Sequence, residues 1–268
     1  MNNMAIGVFD SGVGGLSCVR ELLNCLPNED ITYLGDTLRM PYGLKTVDEL
    51  YKLTKDNIDF LNRRKVKLIA AACGTISSNV SKEKLDNLNV PFVDVINPTV
   101  NAALNKSTTK RIGIIATPAT IKSDCMGKRI KSLDNHANTI SIACPDFVTL
   151  IESGHISDNL IKETAKEYLS EIIDFNVDTL ILGCTHFPII SKVIGEIMGD
   201  NVTLIDSGKE TALEIKRVLE KLDLLTTNTS TGKTEYFVTS NTESFDNVAK
   251  IFLGGSANVK SILMDIKE

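Results

Sequence analysis

The chain has no tryptophan, and only 5% of its 268 residues are aromatic. With few rings to stack on bases, a net charge of −5 and no basic block longer than Arg63-Arg64-Lys65, no nucleic-acid partner is expected. Long hydrophobic runs are also missing. The most continuous apolar stretch, 68–73, falls far short of the ~20 residues a span needs, so no membrane partner is expected. Met1-Asn2-Asn3-Met4 has no basic n-region and the apolar run behind it ends at Asp10, which reads as no secretory signal. The six cysteines include no Cys-x-x-Cys pair, so zinc spacing is absent, and without a secretion signal they do not read as a disulfide framework. A hydrophobic content of 43%, with 17 Gly and 7 Pro, excludes a disordered or fibrous chain.

What the sequence does contain is alternation. Short β-branched apolar runs predict strands at 5–10, 31–36, 68–73, 92–96, 111–117, 139–144, 179–184, 202–206 and 236–239. Helical spacing lies between them, as in Val47, Leu50, Tyr51, Thr54, Ile58 and Leu61, and in Leu160, Ile161, Ala165, Tyr168, Leu169 and Ile172. Strands apolar throughout are those of a parallel sheet covered on both faces, so the class is α/β, doubly wound. The run Leu68 to Thr75, with Cys73 at the strand end, is echoed by Leu180 to Thr185, with Cys184 in that place 111 positions later. The echo predicts two similar, mostly parallel-sheet lobes. Boundaries are expected at Asn97-Pro98, where Pro can open a helix, and near Asp206-Ser207-Gly208, with a surface loop over 226–232.

Ligands of open α/β sheets bind beyond the carboxyl ends of the strands. Those ends carry Asp10, Ser11, Asp36, Cys73, Thr75, Thr117, Cys144, Cys184, Thr185, His186 and Asp206, without a Lys or Arg. The set suits proton transfer on a small polar molecule whose anionic ends are held by backbone N–H groups and hydroxyls. The Gly-rich loop 10–17 partly fits a dinucleotide fingerprint: Ser17 replaces the third Gly, and Asp36 stands at the distance of a ribose-binding acid. Asp10 at the strand end would repel a pyrophosphate. A non-catalytic or nucleotide-binding α/β module is therefore the reading from another class.

Cys18, Cys25 and Cys125 fall in helical patterns and read as packing, and Cys144 stays ambiguous. Cys73 and Cys184 each stand between a strand and a helix, whose N-terminus is expected to lower the thiol pKa. Two thiols in matching places of two halves suggest one reaction. A thiolate on one face of a stereocentre removes a proton and a thiol on the other face returns one, inverting the centre without a cofactor. Asp10 and His186 are near enough in the pattern to tune them. A metal is not expected, because Cys184 and His186 alone are poor ligand spacing, and a Cys–His hydrolase would leave one thiol unused.

Several motifs appear in order along nearly the whole chain: Gly7-Val8-Phe9-Asp10-Ser11-Gly12-Val13-Gly14-Gly15-Leu16, Tyr33-Leu34-Gly35-Asp36, Pro41-Tyr42-Gly43, Ala72-Cys73-x-Thr75, Thr117-Pro118-Ala119-Thr120, Ala143-Cys144-Pro145 with Phe147 and Glu152, Gly183-Cys184-Thr185-His186-Phe187-Pro188, and Ile205-Asp206-Ser207. Together they resemble the glutamate racemases of the aspartate/glutamate racemase superfamily. The resemblance implies two α/β lobes with the active site between them and a C-terminal segment returning to the first, hence lobes 1–97 plus 208–268 and 98–207. It implies cofactor-independent interconversion of L- and D-glutamate, feeding peptidoglycan synthesis in the bacterial cytoplasm, and it leaves a homodimer open.

Carried over position by position, Cys73 would act on the D enantiomer with Asp10, and Cys184 on the L enantiomer with His186 and Glu152. Substrate contacts would fall to Asp10, Ser11, Tyr42, Gly43, Gly74, Thr75, Thr117, Thr120, Thr185 and His186. Without the resemblance, Glu152 reads as a solvated helix charge and Tyr42 as part of a turn. His136 and His155 match nothing and are expected at the surface. One departure stands out: Cys73-Gly74-Thr75 replaces the usual Cys-Asn-Thr. Losing that amide's hydrogen bond to a charged head group costs about 1.5–3 kcal/mol, or one to two decades of affinity. Ser78 or a water is expected to compensate, and a racemase for aspartate or another amino acid is the alternative.

Overall fold

The computed structural model describes residues 2–85, 88–240, 242–255 and 260–261; of the span expected to form the first lobe, residues 1, 86, 87, 241, 256–259 and 262–268 lie outside them. Its strands are β1 (Ile6–Asp10), β2 (Ile31–Gly35), β3 (Leu68–Ala71), β4 (Phe92–Asp94), β5 (Arg111–Ala116), β6 (Asn138–Ala143), β7 (Thr179–Leu182), β8 (Thr203–Asp206), β9 (Thr234–Val238) and β10 (Lys260–Ser261). They form two sheets, ordered β10-β9-β2-β1-β3-β4 and β6-β5-β7-β8, and every pairing is parallel. The order β2-β1-β3-β4 recurs as β6-β5-β7-β8, which places Cys73, just beyond β3, and Cys184, just beyond β7, at equivalent points. Strands β1, β2, β3 and β7 are buried along their whole length, which is why they read as apolar runs interrupted only by Thr32, Thr179 and the terminal Asp10.

Helix Val47–Arg63 begins at a capping box, in which Thr46 and Glu49 each satisfy the other's backbone N–H. Its buried face is Leu50, Leu53, Thr54, Asn57, Ile58, Phe60 and Leu61; Val47, expected on that face, lies in the first turn and is exposed. Helix Asn159–Asp174 is capped by Asp158 and buries Ile161, Ala165, Leu169 and Ile172, while Leu160 is exposed rather than inward. Pro98 does not open its helix. Helix Ile96–Lys106 starts two residues earlier, and Pro98 is tolerated in its first turn because an N–H there has no intrahelical acceptor to lose. Residues 226–232 form a loop, as expected.

The sheets are joined by packing as well as by chain. Helices Leu16–Cys25 and Ser207–Lys221 pack so closely that a Cβ on Gly208 would lie 2.9 Å from Ser17 Oγ. One apolar cluster runs from Ile6, Leu16 and Val19 through Ile215 to Phe147 and Leu180. The segment leading to β9 is pinned by a buried ion pair. Lys67 Nζ lies 2.5 Å from Glu29 Oε2 and donates to the Asn2 and Leu224 carbonyls, while Glu29 Oε1 accepts from the Thr226 N–H at 2.7 Å. Among the described residues no helix is long and apolar enough to cross a membrane.

Candidate active site

The carboxyl ends of the two sheets meet at a cavity of about 360 Å³. Its wall brings together Asp10, Ser11, Cys73, Gly74 and Thr75 from the ends of β1 and β3, Tyr42 and Gly43 from the segment after β2, Thr117 and Thr120 after β5, Glu152 on helix Asp146–Glu152, and Cys184, Thr185 and His186 after β7. Every residue that the resemblance gave a catalytic or substrate-binding role is in that wall; of the strand-end set, Asp36, Cys144 and Asp206 are not, and Asp206 instead caps helix Ser207–Lys221. The sequence reading missed Met40, Pro41, Leu44, Pro118, Ala119 and Val148, which also line it. Met40 and Leu44 had a signal: they are apolar side chains flanking a Pro-Tyr-Gly turn, and they stay 42% and 85% exposed. No lining residue is Lys or Arg.

Cys73 caps helix Gly74–Asn79 and is 4% exposed. Its Sγ lies 3.9 Å from Ser11 Oγ, and Ser11 in turn reaches Asp10 Oδ1 at 3.4 Å. The helix was expected to lower this thiol's pKa. Instead burial, and then the Asp10 charge, push it up, and the backbone N–H of Ile76 offsets only part of that. Asp10 is also held above the usual carboxylate range, by its own burial, against the Gly15 N–H it accepts at 2.8 Å and the field of His186. This half of the cavity therefore favours thiol over thiolate.

The other half is built differently. Cys184 is followed by a 3-10 turn, Phe187–Ile190, rather than directly by an α-helix. His186 Nδ1 stands 3.8 Å from Cys184 Sγ, and His186 Nε2 lies 2.8 Å from Glu152 Oε1. Burial works to lower the His186 pKa, but the hydrogen bonds to Cys184 and Glu152 outweigh it and push it up to about 10. The ring is an imidazolium at neutral pH, donating from both nitrogens. Phe252 braces it edge-on at 5.4 Å between centroids.

The Gly-rich loop joins the two halves. A Cβ on Gly14 would come within 2.3 Å of Thr185 Oγ1 and 2.5 Å of His186 Nδ1, so only glycine lets the loop lie this close to the second half-site. Tyr33 Oη donates to the Gly12 carbonyl at 2.8 Å and holds the loop from below. This packing accounts for Gly14, and Gly15 is as tightly placed, with its Cβ position 2.8 Å from Asp10 Cβ, so both glycines have a reason other than a bound nucleotide. Asp36 is no ribose acid either, because it is fully buried and accepts from Arg39, Tyr42 and Thr239.

Other expectations resolve in the same way. Ser78 does not substitute for a side chain at position 74, since its Oγ donates back to the Gly74 carbonyl at 2.6 Å. A Cβ on Gly74 would meet Gly183 O at 3.2 Å and Thr120 Oγ1 at 3.5 Å, across the cavity. Tyr42 is 2% exposed, and its hydroxyl turns to Asp36 and Asn57 rather than to the cavity. Thr117 Oγ1 and Thr120 Oγ1 form a hydroxyl pair 3.2 Å apart. Cys144 does not line the cavity; it is buried in the core with Phe147 and Phe187. His136 is exposed, and His155 pairs at the surface with Asp158 at 2.6 Å. Among the described residues no group of three or more His, Cys, Asp or Glu is arranged to hold a metal ion.

Comparison with known proteins agrees along the chain. The Asp/Glu/Hydantoin racemase family matches residues 15–215. A glutamate racemase of Exiguobacterium sibiricum is 40% identical over 99% of this chain and 98% of its own. The crystal structure of glutamate racemase from Francisella tularensis in complex with D-glutamate superposes with a TM-score of 0.90 at 36% identity, covering 99% of both chains. Glutamate racemase isoform RacE1 from Bacillus anthracis does so with a TM-score of 0.92 at 33% identity, covering 98% of both. On the extent of these matches, the chain belongs to the Asp/Glu/Hydantoin racemase family and, within it, to the glutamate racemases.

Proposed function

We propose that this isomerase interconverts L- and D-glutamate by two opposed thiols, without a cofactor. The observation that carries the mechanism is the placement of Cys73 and Cys184: equivalent points of two like-ordered sheets, facing one cavity, each with its own acid–base neighbours. In the L-to-D direction the Cys184 thiolate, held by the His186 imidazolium, takes the α-proton. The electron pair left on the α-carbon spreads into the carboxylate, and the Cys73 thiol delivers a proton to the opposite face. One proton is taken and one given. Reversal needs Cys73 as the base, with Asp10 and Ser11 beside it, and Cys184 as the acid.

In this reading the anionic substrate is held by backbone N–H groups and by the hydroxyls of Ser11, Thr75, Thr117, Thr120 and Thr185, since the wall offers no Lys or Arg. Glu152 keeps His186 charged and oriented. The lobes are 1–97 with 208–268, and 98–207, supported by the return of β9 and β10 to the first sheet. A cytoplasmic enzyme supplying D-glutamate to peptidoglycan synthesis, working alone or as a homodimer, completes the proposal. Gly74 favours one second reading, a racemase for aspartate or another amino acid, because it carries no side chain to reach the head group.

The test is incubation of the purified protein with L- or D-glutamate in deuterated water, with no pyridoxal phosphate, following optical rotation and α-deuteration. Loss of rotation with deuterium at the α-carbon supports the proposal. Exchange with aspartate but not glutamate moves the substrate to the second reading, and no exchange with any amino acid overturns racemase chemistry here.

A further inference from the structure

Behind the cavity wall lies a polar cluster that the reaction does not use. Asp36 is fully buried at the end of β2 and does not line the cavity. Its Oδ2 accepts from Arg39 Nε at 2.7 Å and from the Tyr42 hydroxyl, and its Oδ1 accepts from Thr239 Oγ1 at 2.9 Å. The Tyr42 oxygen also accepts from Asn57 Nδ2 at 3.1 Å, on helix Val47–Arg63. Arg39 continues outward to Asp56 at 2.6 Å, and the Asp36 N–H donates to the Asp10 carbonyl at 3.0 Å. Each side-chain oxygen of Asp36 therefore has a donor, as a buried carboxylate requires.

The position of Asp36 between two parts of the site gives the cluster a consequence. Its backbone is bonded to Asp10, beside Cys73. Its carboxylate grips Tyr42, the buried anchor of a segment whose neighbours Met40, Pro41, Gly43 and Leu44 form the cavity wall. Within that segment the Tyr42 ring is buried in the core with Phe9, Leu34 and Leu50, Leu44 is 85% exposed, and a Cβ on Gly43 would lie 3.4 Å from Ala119 of the second lobe. Burial and the Asp36 charge keep the Tyr42 phenol neutral, so it stays a donor. We propose that Asp36 is a positioning residue for the racemase. Through the Tyr42 hydroxyl it fixes the 40–44 segment as one wall of the cavity, and so sets how tightly the amino acid is held without touching it. The inference rests on the proposed racemase reading.

Tyr42→Phe isolates the tether, because the ring and the backbone stay and only the hydroxyl goes. Its KM should rise about tenfold for both enantiomers, the share of one strong hydrogen bond, while kcat changes by less than about twofold. Asp36→Asn, which keeps the volume and loses an acceptor, should raise KM at least as much. Asp56→Asn removes an outer partner of Arg39 and should lower the melting temperature while leaving KM at the wild-type value. If Tyr42→Phe and Asp36→Asn lower the melting temperature but leave KM unchanged, Asp36 only stabilises the fold and the proposal is wrong. It is equally wrong if Asp56→Asn raises KM as much as they do. Wild type acting on aspartate instead of glutamate would overturn only the substrate reading, and the KM comparison then runs on aspartate. Wild type inactive on every amino acid would overturn both.

Discussion

The His186 ring is bonded to Glu152 through Nε2, at 2.8 Å, on the side opposite the nitrogen that faces Cys184. The carboxylate therefore fixes the ring's orientation and the proton it presents to the thiol. Glu152→Gln keeps the shape and removes the charge. Its kcat should fall about tenfold to a hundredfold, the cost of one charge-assisted hydrogen bond. The alkaline limb of kcat/KM should also move to lower pH, because the His186 proton leaves earlier. An unchanged limb would separate Glu152 from the acid–base chemistry.

His186 also links stability to pH. Its pKa is about 10 in the folded protein against an ordinary 6.5, so folding favours the protonated ring. The stabilisation is complete below pH 6.5 and is lost as pH rises through about 10. In melting curves across that range, wild type should exceed His186→Asn by most near the acid end, with the gap closing toward pH 10. A gap that widens with pH would mean the ring is neutral in the folded state.

Replacing either thiol should abolish racemisation in both directions. The enantiomers are equal in free energy, so the two values of kcat/KM must fall together. Exchange of the α-proton with solvent is not bound by that symmetry. With Cys73→Ser, Cys184 should still wash deuterium into L-glutamate, and with Cys184→Ser, Cys73 should still wash it into D-glutamate. Proton NMR of each enantiomer in deuterated water reads this directly, and the opposite pairing would exchange the assigned faces.

Gly14→Ala tests the contact between the lobes. The new methyl must displace Thr185 or His186, whose atoms lie 2.3 and 2.5 Å from its position. A shift of about 1 Å at a reacting group costs about a hundredfold in rate, so kcat should drop by that order while Gly12→Ala, whose Cβ meets only Met40 at 3.7 Å, changes it far less. Equal effects would mean that the loop, and not the Gly14 contact, matters.

The central strands were legible because burial on both faces leaves them mostly apolar, and every predicted strand is present. Strand β10 was not, since Lys260–Ser261 is a two-residue strand without an apolar pattern. The pair Cys73 and Cys184 was readable through the repeat, because equivalent strand ends carry them. Contacts across long sequence separations were not. Glu152 meets His186 across 34 positions and Thr239 meets Asp36 across 203, distances that periodicity does not span. The Cys73 pKa was misjudged for a related reason: the helix end is local and visible, whereas the burial that outweighs it comes from the whole fold.

Position 74 offers a test of the substrate. A side chain there starts 3.2 Å from Gly183 O and 3.5 Å from Thr120 Oγ1, close enough that the carbonyl must give by a few tenths of an ångström, with the cavity ahead of it. Gly74→Asn would place an amide across the head-group end of the site, and Ser78 does not fill that role because its hydroxyl is spent on the Gly74 carbonyl. If glutamate is the substrate, the amide should lower its KM by about tenfold or more, the worth of a hydrogen bond to a charged group, with kcat changing much less. If the missing side chain lets a different amino acid bind, the same substitution should raise the KM for that amino acid by crowding it. Steady-state kinetics of wild type and Gly74→Asn on glutamate and aspartate separate the two cases by the sign of the change, so the answer does not depend on its size.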